Sequence, residues 1–305
     1  MQIDDLTAPE KRLWEAFPSG KKVDLCVCGV DENDPKSSRV WGPERSIRAS
    51  VIAELLMGHN HQSAGRSAGV HLVGAHIVGM IDLDHAEFQC HLRLKACRVS
   101  EPIRLYDAHV RQITVVDSAL SGLDASSAQI DGNLNLGGSR VRGEVKLVNT
   151  HVMGYLQLGG AQLRNPTKIA LNASRLRLEN DLSMHDGFQA DGEVTIRGAR
   201  IKGEVCMEHA VLRNPGQVAL RASRAEIGSN VLAHGLVTEG EVNLSGTRVG
   251  GLINFANAQL SNPSGNSLTA YRTETSADFR CSGDFRAEGK VHITEPFPVS
   301  MRGAA

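Results

Sequence analysis

Along most of the chain, aliphatic side chains recur in short alternating pairs, and the spacing of those pairs carries the first inference. Between Gly69 and Ala270 the segments GAHIVGMIDL, HAEFQCHLRL, DAHVRQITVV, SAQIDGNLNL, GSRVRGEVKL, NTHVMGYLQL, GARIKGEVCM and GTRVGGLINF share one form. A small residue is followed two places later by an aliphatic one, often then by glycine, then by two alternating aliphatics. The small anchors Ala75, Ala86, Cys97, Ala108, Ser118, Ala128, Ser139, Thr150 and Ala161 are separated by 11, 11, 11, 10, 10, 11, 11 and 11 residues. A period of two inside each unit is that of strands, and the recurring glycines exclude a helical repeat. Two units make a coil of about 21 residues whose apolar side chains stack on those of the coils above and below. The expectation is an all-β solenoid, a right-handed β-helix over residues 69–270.

The ends read differently. In LTAPEKRLWEAF, Thr7 and Glu10 have capping-box spacing and Pro9 suits a first helical turn, with Leu13, Trp14 and Phe17 on one side. KKVDLCVCG alternates Val23, Leu25 and Val27 and reads as a strand. The polar stretch from Asp31 to Val40 reads as a mobile loop. WGPERSIRASVIAELLMG reads as a second helix, opened by Pro43 and closed by Gly58, with Ile47, Val51 and Leu55 in one stripe beside Ile52 and Leu56. A solenoid leaves an open edge at each end that templates aggregation unless covered. Residues 1–68 are therefore expected to form a small α-helical N-terminal cap, and residues 271–305 a C-terminal cap.

The second half of the repeat region is written twice. RNPTKIALNASRL from Arg164 and RNPGQVALRASRA from Arg213 open two copies 49 residues apart, and SNPSG at Ser261 opens a partial third. Each copy is a double coil lengthened at one corner, so protruding loops are expected in the C-terminal half. Such protrusions are where binding surfaces tend to form.

The anchor-plus-aliphatic rhythm resembles the pentapeptide-repeat proteins, whose coils have four five-residue sides and a small residue two places before a central Leu or Phe. Here the units are ten or eleven residues, and the Asn or Asp between the small residue and the aliphatic one is mostly missing. WGPER, GARIKGEV and DGFQADGEV resemble more closely a group of uncharacterised bacterial proteins, often automatically named as oxidoreductases or as membrane-associated. No residue here supports either name. GVHLVGAHIVG has glycines at five-residue spacing and is the first rung of the repeat, not a dinucleotide fingerprint.

Charge and cysteine usage narrow the partners. With a formal net charge of −1, the chain lacks the basic excess that nucleic acid or an anionic membrane surface would attract. No apolar run approaches the ~18 residues that span a bilayer, and MQIDDLTAPEKR has no secretory core. Six cysteines (Cys26, Cys28, Cys90, Cys97, Cys206 and Cys281) are scattered without zinc or thioredoxin spacing, which fits reduced thiols and a cytoplasmic location.

Candidate chemistry lies at the corners. Aligning LGGA, MHDG, MEHA, AHGL and FANA stacks Gly159, His185, Glu208, His234 and Ala256, with Gly160, Asp186, His209, Gly235 and Asn257 in the next column. At ~4.8 Å per rung, His185, Asp186, Glu208, His209 and His234 would form a ladder able to hold a divalent metal or exchange protons. Stacked polar columns also satisfy one another with no chemistry at all. A weaker column is His85, Asp107, Ser127 and Asn149. His59 and His61 are a further pair of potential metal ligands. Arg164, Lys168, Arg175, Arg177, Arg213, Arg221 and Arg224 suggest a basic stripe for phosphate or an acidic partner. No G-x-S-x-G elbow is present.

Two function classes follow. One is a binding scaffold that presents a ladder surface to a protein or small molecule, with homo-oligomerisation left open. The other is an enzyme using the His/Glu/Asp column for acid–base or metal-assisted work. The sequence identifies no cofactor, and leaves the metal, the partner and the substrate undetermined.

Overall fold

The computed structural model describes residues 3–27, 29, 31–37, 39–58, 67–294 and 299–302. Strands Gln129–Ile130, Leu134–Asn135, Arg140–Val141 and Val145–Lys146 make the four sides of one coil. The next strand, His151–Val152, lies parallel beside the first, with His151 opposite Gln129, 22 positions back. Strand starts at 129, 134, 140, 145 and 151 step alternately by five and six residues, so each eleven-residue unit is two sides of the coil. The sixth residue of the longer step is a left-handed corner: Gly138 has φ 65° and Asn149 has φ 57°. The expected all-β solenoid is therefore present, with coils of about 22 residues built from parallel two-residue strands.

Two corners of every coil carry such left-handed residues, and they stack into two columns. One runs Gly74, Ala96, Asp117, Gly138, Gly160, Asp186, His209, Gly235, Asn257, Gly283. The other runs His85, Asp107, Ser127, Asn149, Arg175, Gly198, Arg224, Gly246, Arg272. A left-handed residue with a Cβ costs roughly 1–2 kcal/mol, which explains the preponderance of Gly, Asp and Asn. Leu176, Leu236 and Asp284 apart, the residue after each corner is the small anchor. It points inward where opposite walls come close: Ser118, Ser139 and Thr150 are fully buried. Their hydroxyls are satisfied within the ladder, Ser118 Oγ accepting from the Cys97 N–H and Ser139 Oγ from the Ser118 N–H, both at 3.0 Å.

The core is a set of aliphatic stacks. Leu156, Leu182, Val205, Val231, Ile253 and Phe279 are register partners in successive coils and none is more than 2% exposed. Burying one such side chain is worth about 1.5–3 kcal/mol. The ladders run on past Ala270: Glu274–Thr275, Phe279–Ser282 and Arg286–Ile293 pair with the preceding coil, and Val299–Arg302 pairs with Phe279–Ser282. No helix among the described residues is long and apolar enough to cross a membrane.

The N-terminal segment departs from its expected form. Helix α1 (Ala8–Ala16) is capped by Glu10, whose carboxylate accepts the Thr7 N–H at 2.9 Å. The single long helix expected from Pro43 to Gly58 is instead a 3-10 turn, Pro43–Arg45, a strand, Ser46–Arg48, and a shorter helix α2, Ala49–Leu56. The strand forms because His76–Val78 offers an open parallel edge, and Ser46–Arg48 pairs with it residue for residue. Val23–Asp24 does the same for Leu72 and Val73. Ile47, from the strand, and Val51 and Leu55, from α2, are all fully buried against the first coil. Of the stretch from Asp31 to Val40, expected to be mobile, residues 31–37 are strapped to the side of the coils. Arg98 donates to the carbonyls of Pro35, at 3.2 Å, and Ser37, at 2.8 Å, and Arg140 donates to that of Lys36 at 3.2 Å.

The duplicated 49-residue block has a physical reason. In Gln162–Asn172, Arg164 lies opposite Asp191 and Ile169 opposite Glu193, so four residues bulge out against Gly192 alone. The same excursion recurs between Arg213 and Val218 and between Ser261 and Asn266. Asn165, Asn214 and Asn262 tie each one, their Nδ2 donating to carbonyls four residues on at 2.7–2.8 Å. Only alternate coils can bulge, because the excursion backbone folds over its neighbour. A Cβ on Gly240 would meet the Asn214 carbonyl oxygen at 2.6 Å, and φ there is +125°, so glycine is required.

Candidate functional site

The strand register places the five corner residues in the stacking order read from the sequence. Leu182–Ser183, Val205–Cys206 and Val231–Leu232 are ladder partners, so His185, Glu208 and His234 occupy equivalent positions in successive coils. Asp186 and His209, at φ 53° and 55°, are the left-handed corners beside them. The side chains nevertheless divide into separate groups. His185 Nδ1 lies 2.8 Å from Asp186 Oδ2, a contact between sequence neighbours. The His209 ring lies over Gly235, where its Nδ1 would be 2.5 Å from a Cβ, and meets the His234 ring edge-on with centroids 5.2 Å apart. Glu208 Oε2 is 3.9 Å from the Cys206 thiol, whose pKa burial raises. Among the described residues no three His, Cys, Asp or Glu side chains come together to hold a metal ion. His59 and His61 lie outside the described residues.

The excursions do not wall this corner. Going round a coil, the His/Asp corner is followed by the side that carries Gln189 and Ala190, and the excursions rise at the turn beyond it. The geometry of the five residues thus amounts to a carboxylate-oriented imidazole next to an edge-to-face imidazole pair, open to solvent. That arrangement can exchange protons but encloses no substrate.

The other left-handed column begins with a hydrogen-bonded pair, His85 Nδ1 to Asp107 Oδ2 at 3.1 Å. A longer polar ladder, missed in the sequence, runs directly after it. Glu87, His109, Gln129, His151, Arg177, Arg200, Glu226, Arg248 and Glu274 are consecutive register partners. Its signal was present as the residue following the small anchor in alternate units. Side chains two places on complete its pairs: His109 Nε2 lies 3.0 Å from Asp131 and His151 Nε2 3.1 Å from Glu179. Hydrogen bonds from Lys202 and then His151 hold Glu179 below the usual carboxylate range. Gln129 and then His109 do the same for Asp131, against the opposing effect of burial.

At its C-terminal end this ladder forms one rail of a groove. Arg200 Nε lies 3.1 Å from Glu226, Arg248 bridges Glu226 at 3.8 Å and Glu274 at 3.1 Å, and all four side chains are at least 48% exposed. Beside the rail, Gly228 and Gly250 replace the side chains that the preceding coils carry at Lys202 and Glu179. A Cβ on Gly228 would collide with the Lys202 carbonyl oxygen, and one on Gly250 with that of Gly228. The cleft that results has a volume of about 690 Å³ and spans four coils, from Arg200 and Lys202 to Thr275 and Ser276.

Three of the seven residues of the expected basic stripe are neutralised. Arg164 and Arg213 share Asp191 at 3.6 Å, Arg213 also reaches Glu239 at 3.2 Å, and Arg221 holds Glu193 at 2.7 Å. The five cysteines within the described residues are unpaired. No protein-family model matches the chain, and no curated protein or solved structure matches it either.

Proposed function

We propose that the protein is a non-catalytic binding scaffold, and that the groove from Arg200 to Ser276 receives an elongated segment of a partner polypeptide. The observation that supports this reading is the groove itself: it is long, follows the solenoid axis, and has a glycine-lined floor. Its rail is already internally paired, so it projects little net field and suits shape and hydrogen-bond recognition better than the capture of a polyanion. A rigid ladder also loses little conformational freedom on binding, which favours affinity. The four-sided coil is in keeping with a pentapeptide-repeat relationship.

The test is a photo-crosslinking side chain introduced at Ser276, in the groove, and separately at Ser245, outside it. The reading requires a discrete adduct with a polypeptide from the Ser276 position only. Equal and diffuse labelling from both positions would contradict it.

A second reading, an enzyme using His185, Asp186, Glu208, His209 and His234, draws support from the 2.8 Å His185–Asp186 contact, which orients an imidazole as general-base work requires. Replacing His209 and His234 together with Ala should then abolish turnover while leaving the melting temperature unchanged. A double variant with full activity removes this reading.

A further inference from the structure

From its fifth member, the second left-handed column switches from His, Asp, Ser and Asn to a strict alternation: Arg175, Gly198, Arg224, Gly246, Arg272. The alternation follows the double coil. Each arginine closes the strand that carries an excursion, in the sequences NASR, RASR and TAYR. The glycines between them leave room. A Cβ on Gly198 would touch the Arg175 stem at 3.8 Å, and one on Gly246 the Arg224 stem at 3.5 Å, so each arginine lies across the glycine of the next coil.

The first of these gaps is a cleft of about 330 Å³ lined by Ser174, Arg175, Arg197, Gly198 and Arg224. Three guanidinium-bearing residues share it. Among the described residues none of the three has a carboxylate within 4.0 Å, whereas Arg164, Arg200, Arg213, Arg221 and Arg248 all do. Gathering three cations without a counter-charge is unfavourable in the empty protein and becomes favourable only when an anion joins them. Arg175 and Arg224 stand two rungs apart, ~9.6 Å, on either side of the glycine floor. Planar guanidinium forks recognise phosphate bidentately, which a pair of ammonium groups could not match.

We infer that the corner formed by Arg175, Arg197 and Arg224 over Gly198 is a binding site for a tetrahedral oxyanion, a phosphate or sulfate group. Ser174 lines the cleft, although its hydroxyl is engaged by Asn172 at 2.8 Å. The neighbouring gap at Gly246 lacks the third cation, since Ser245 stands where Arg197 does, so the first gap is the stronger site.

The inference is tested by calorimetric titration of the full chain with inorganic phosphate, and with sulfate, at constant ionic strength. A parallel arm measures co-sedimentation with phosphatidylcholine vesicles containing phosphatidic acid, against vesicles of phosphatidylcholine alone. The comparison proteins are Arg175→Gln/Arg224→Gln, Arg197→Gln, and Arg164→Gln as a paired-arginine control outside the groove. Saturable binding at one site per chain is expected, weakened at least tenfold by the double variant, several-fold by Arg197→Gln, and little by Arg164→Gln. Co-sedimentation that depends on the same arginines identifies the source as a lipid headgroup, and its absence beside phosphate binding identifies a free or small-molecule anion. Non-saturable uptake, or an equal loss in Arg164→Gln and the double variant, overturns the site. All three arginines are exposed, so the variants are expected to fold, and unchanged far-UV circular dichroism verifies it.

Discussion

Replacing Glu10 with Gln should loosen the N-terminal cap, and it should do so only above acidic pH. The Glu10 carboxylate is 1% exposed and joins three parts of the cap. It accepts the Thr7 N–H at 2.9 Å, the Arg48 N–H at 2.9 Å, and the Arg48 Nε and Nη2 at 2.8 and 2.7 Å. Burial alone would raise its pKa. The Arg48 guanidinium and the two backbone N–H groups outweigh burial and bring it from 4.5 to about 2. At ~1.4 kcal/mol per unit, a difference of that size corresponds to roughly 3 kcal/mol of stability. Arg48 is 44% exposed, so water screens part of the attraction and the figure is an upper value. Because the folded pKa lies below the unfolded one, this stabilisation is complete above pH ~4.5 and is lost as pH falls towards 2. Both tryptophans, Trp14 and Trp41, belong to the cap segment, so urea unfolding followed by tryptophan emission reports on it directly. Wild type and Glu10→Gln should differ by 2–3 kcal/mol at pH 7 and converge near pH 2. A difference that is constant with pH, or no difference at pH 7, would refute the assignment.

Other expectations can be measured in the same way. Gly240→Ala must strain its backbone and displace the Asn214 and Gln217 carbonyls, and should cost ~3 kcal/mol or more; Gly216→Ala, also left-handed but in open space, should cost about 1 kcal/mol, and equal losses would show that the excursion does not press on its neighbouring coil. Arg45 is 2% exposed, donates to the Gly74 and Glu32 carbonyls and lies 3.6 Å from the Trp41 ring centre, so Arg45→Ala should lower stability by about 2–4 kcal/mol without rescue by Lys. Deleting residues 1–58 bares the edge of the first coil and should give aggregates by light scattering; a soluble monomer with an unchanged melting temperature would contradict the capping role.

The solenoid was legible because its period is enforced at every coil. A residue that follows a left-handed corner is small at most coils, Leu176 and Leu236 being the buried exceptions, so Ala75, Cys97, Ser118 and Ala161 mark the coil in the sequence. The stacking of His185, Glu208 and His234 was legible for the same reason: the buried Leu182, Val205 and Val231 fix the register three residues earlier. Where the side-chain heads go was not legible. It depends on the room above Gly235, which draws His209 towards His234, and on a local contact that holds His185 to Asp186. Ser46–Arg48 was read as helix because its strand partner, His76–Val78, lies 30 residues away, and local pattern carries no trace of an unpaired edge. The strap formed by residues 31–37 has the composition of a free loop. Its order comes from Arg98 and Arg140, 63 and 104 residues distant in sequence from the carbonyls they hold. The groove was missed because the residue after each anchor was read only as part of a repeat, and its alternation of Arg and Glu becomes a rail only once coils are stacked.

The distinction between a scaffold and a corner enzyme rests on which variants lose a partner. Polypeptides retained from a lysate of the source organism would be quantified for three immobilised proteins: wild type, Ser276→Trp with the groove obstructed, and His209→Ala/His234→Ala. The account predicts a polypeptide enriched by wild type and by the histidine variant alike and reduced at least tenfold by Ser276→Trp. Enrichment that survives the blocked groove and disappears with the two histidines would contradict it.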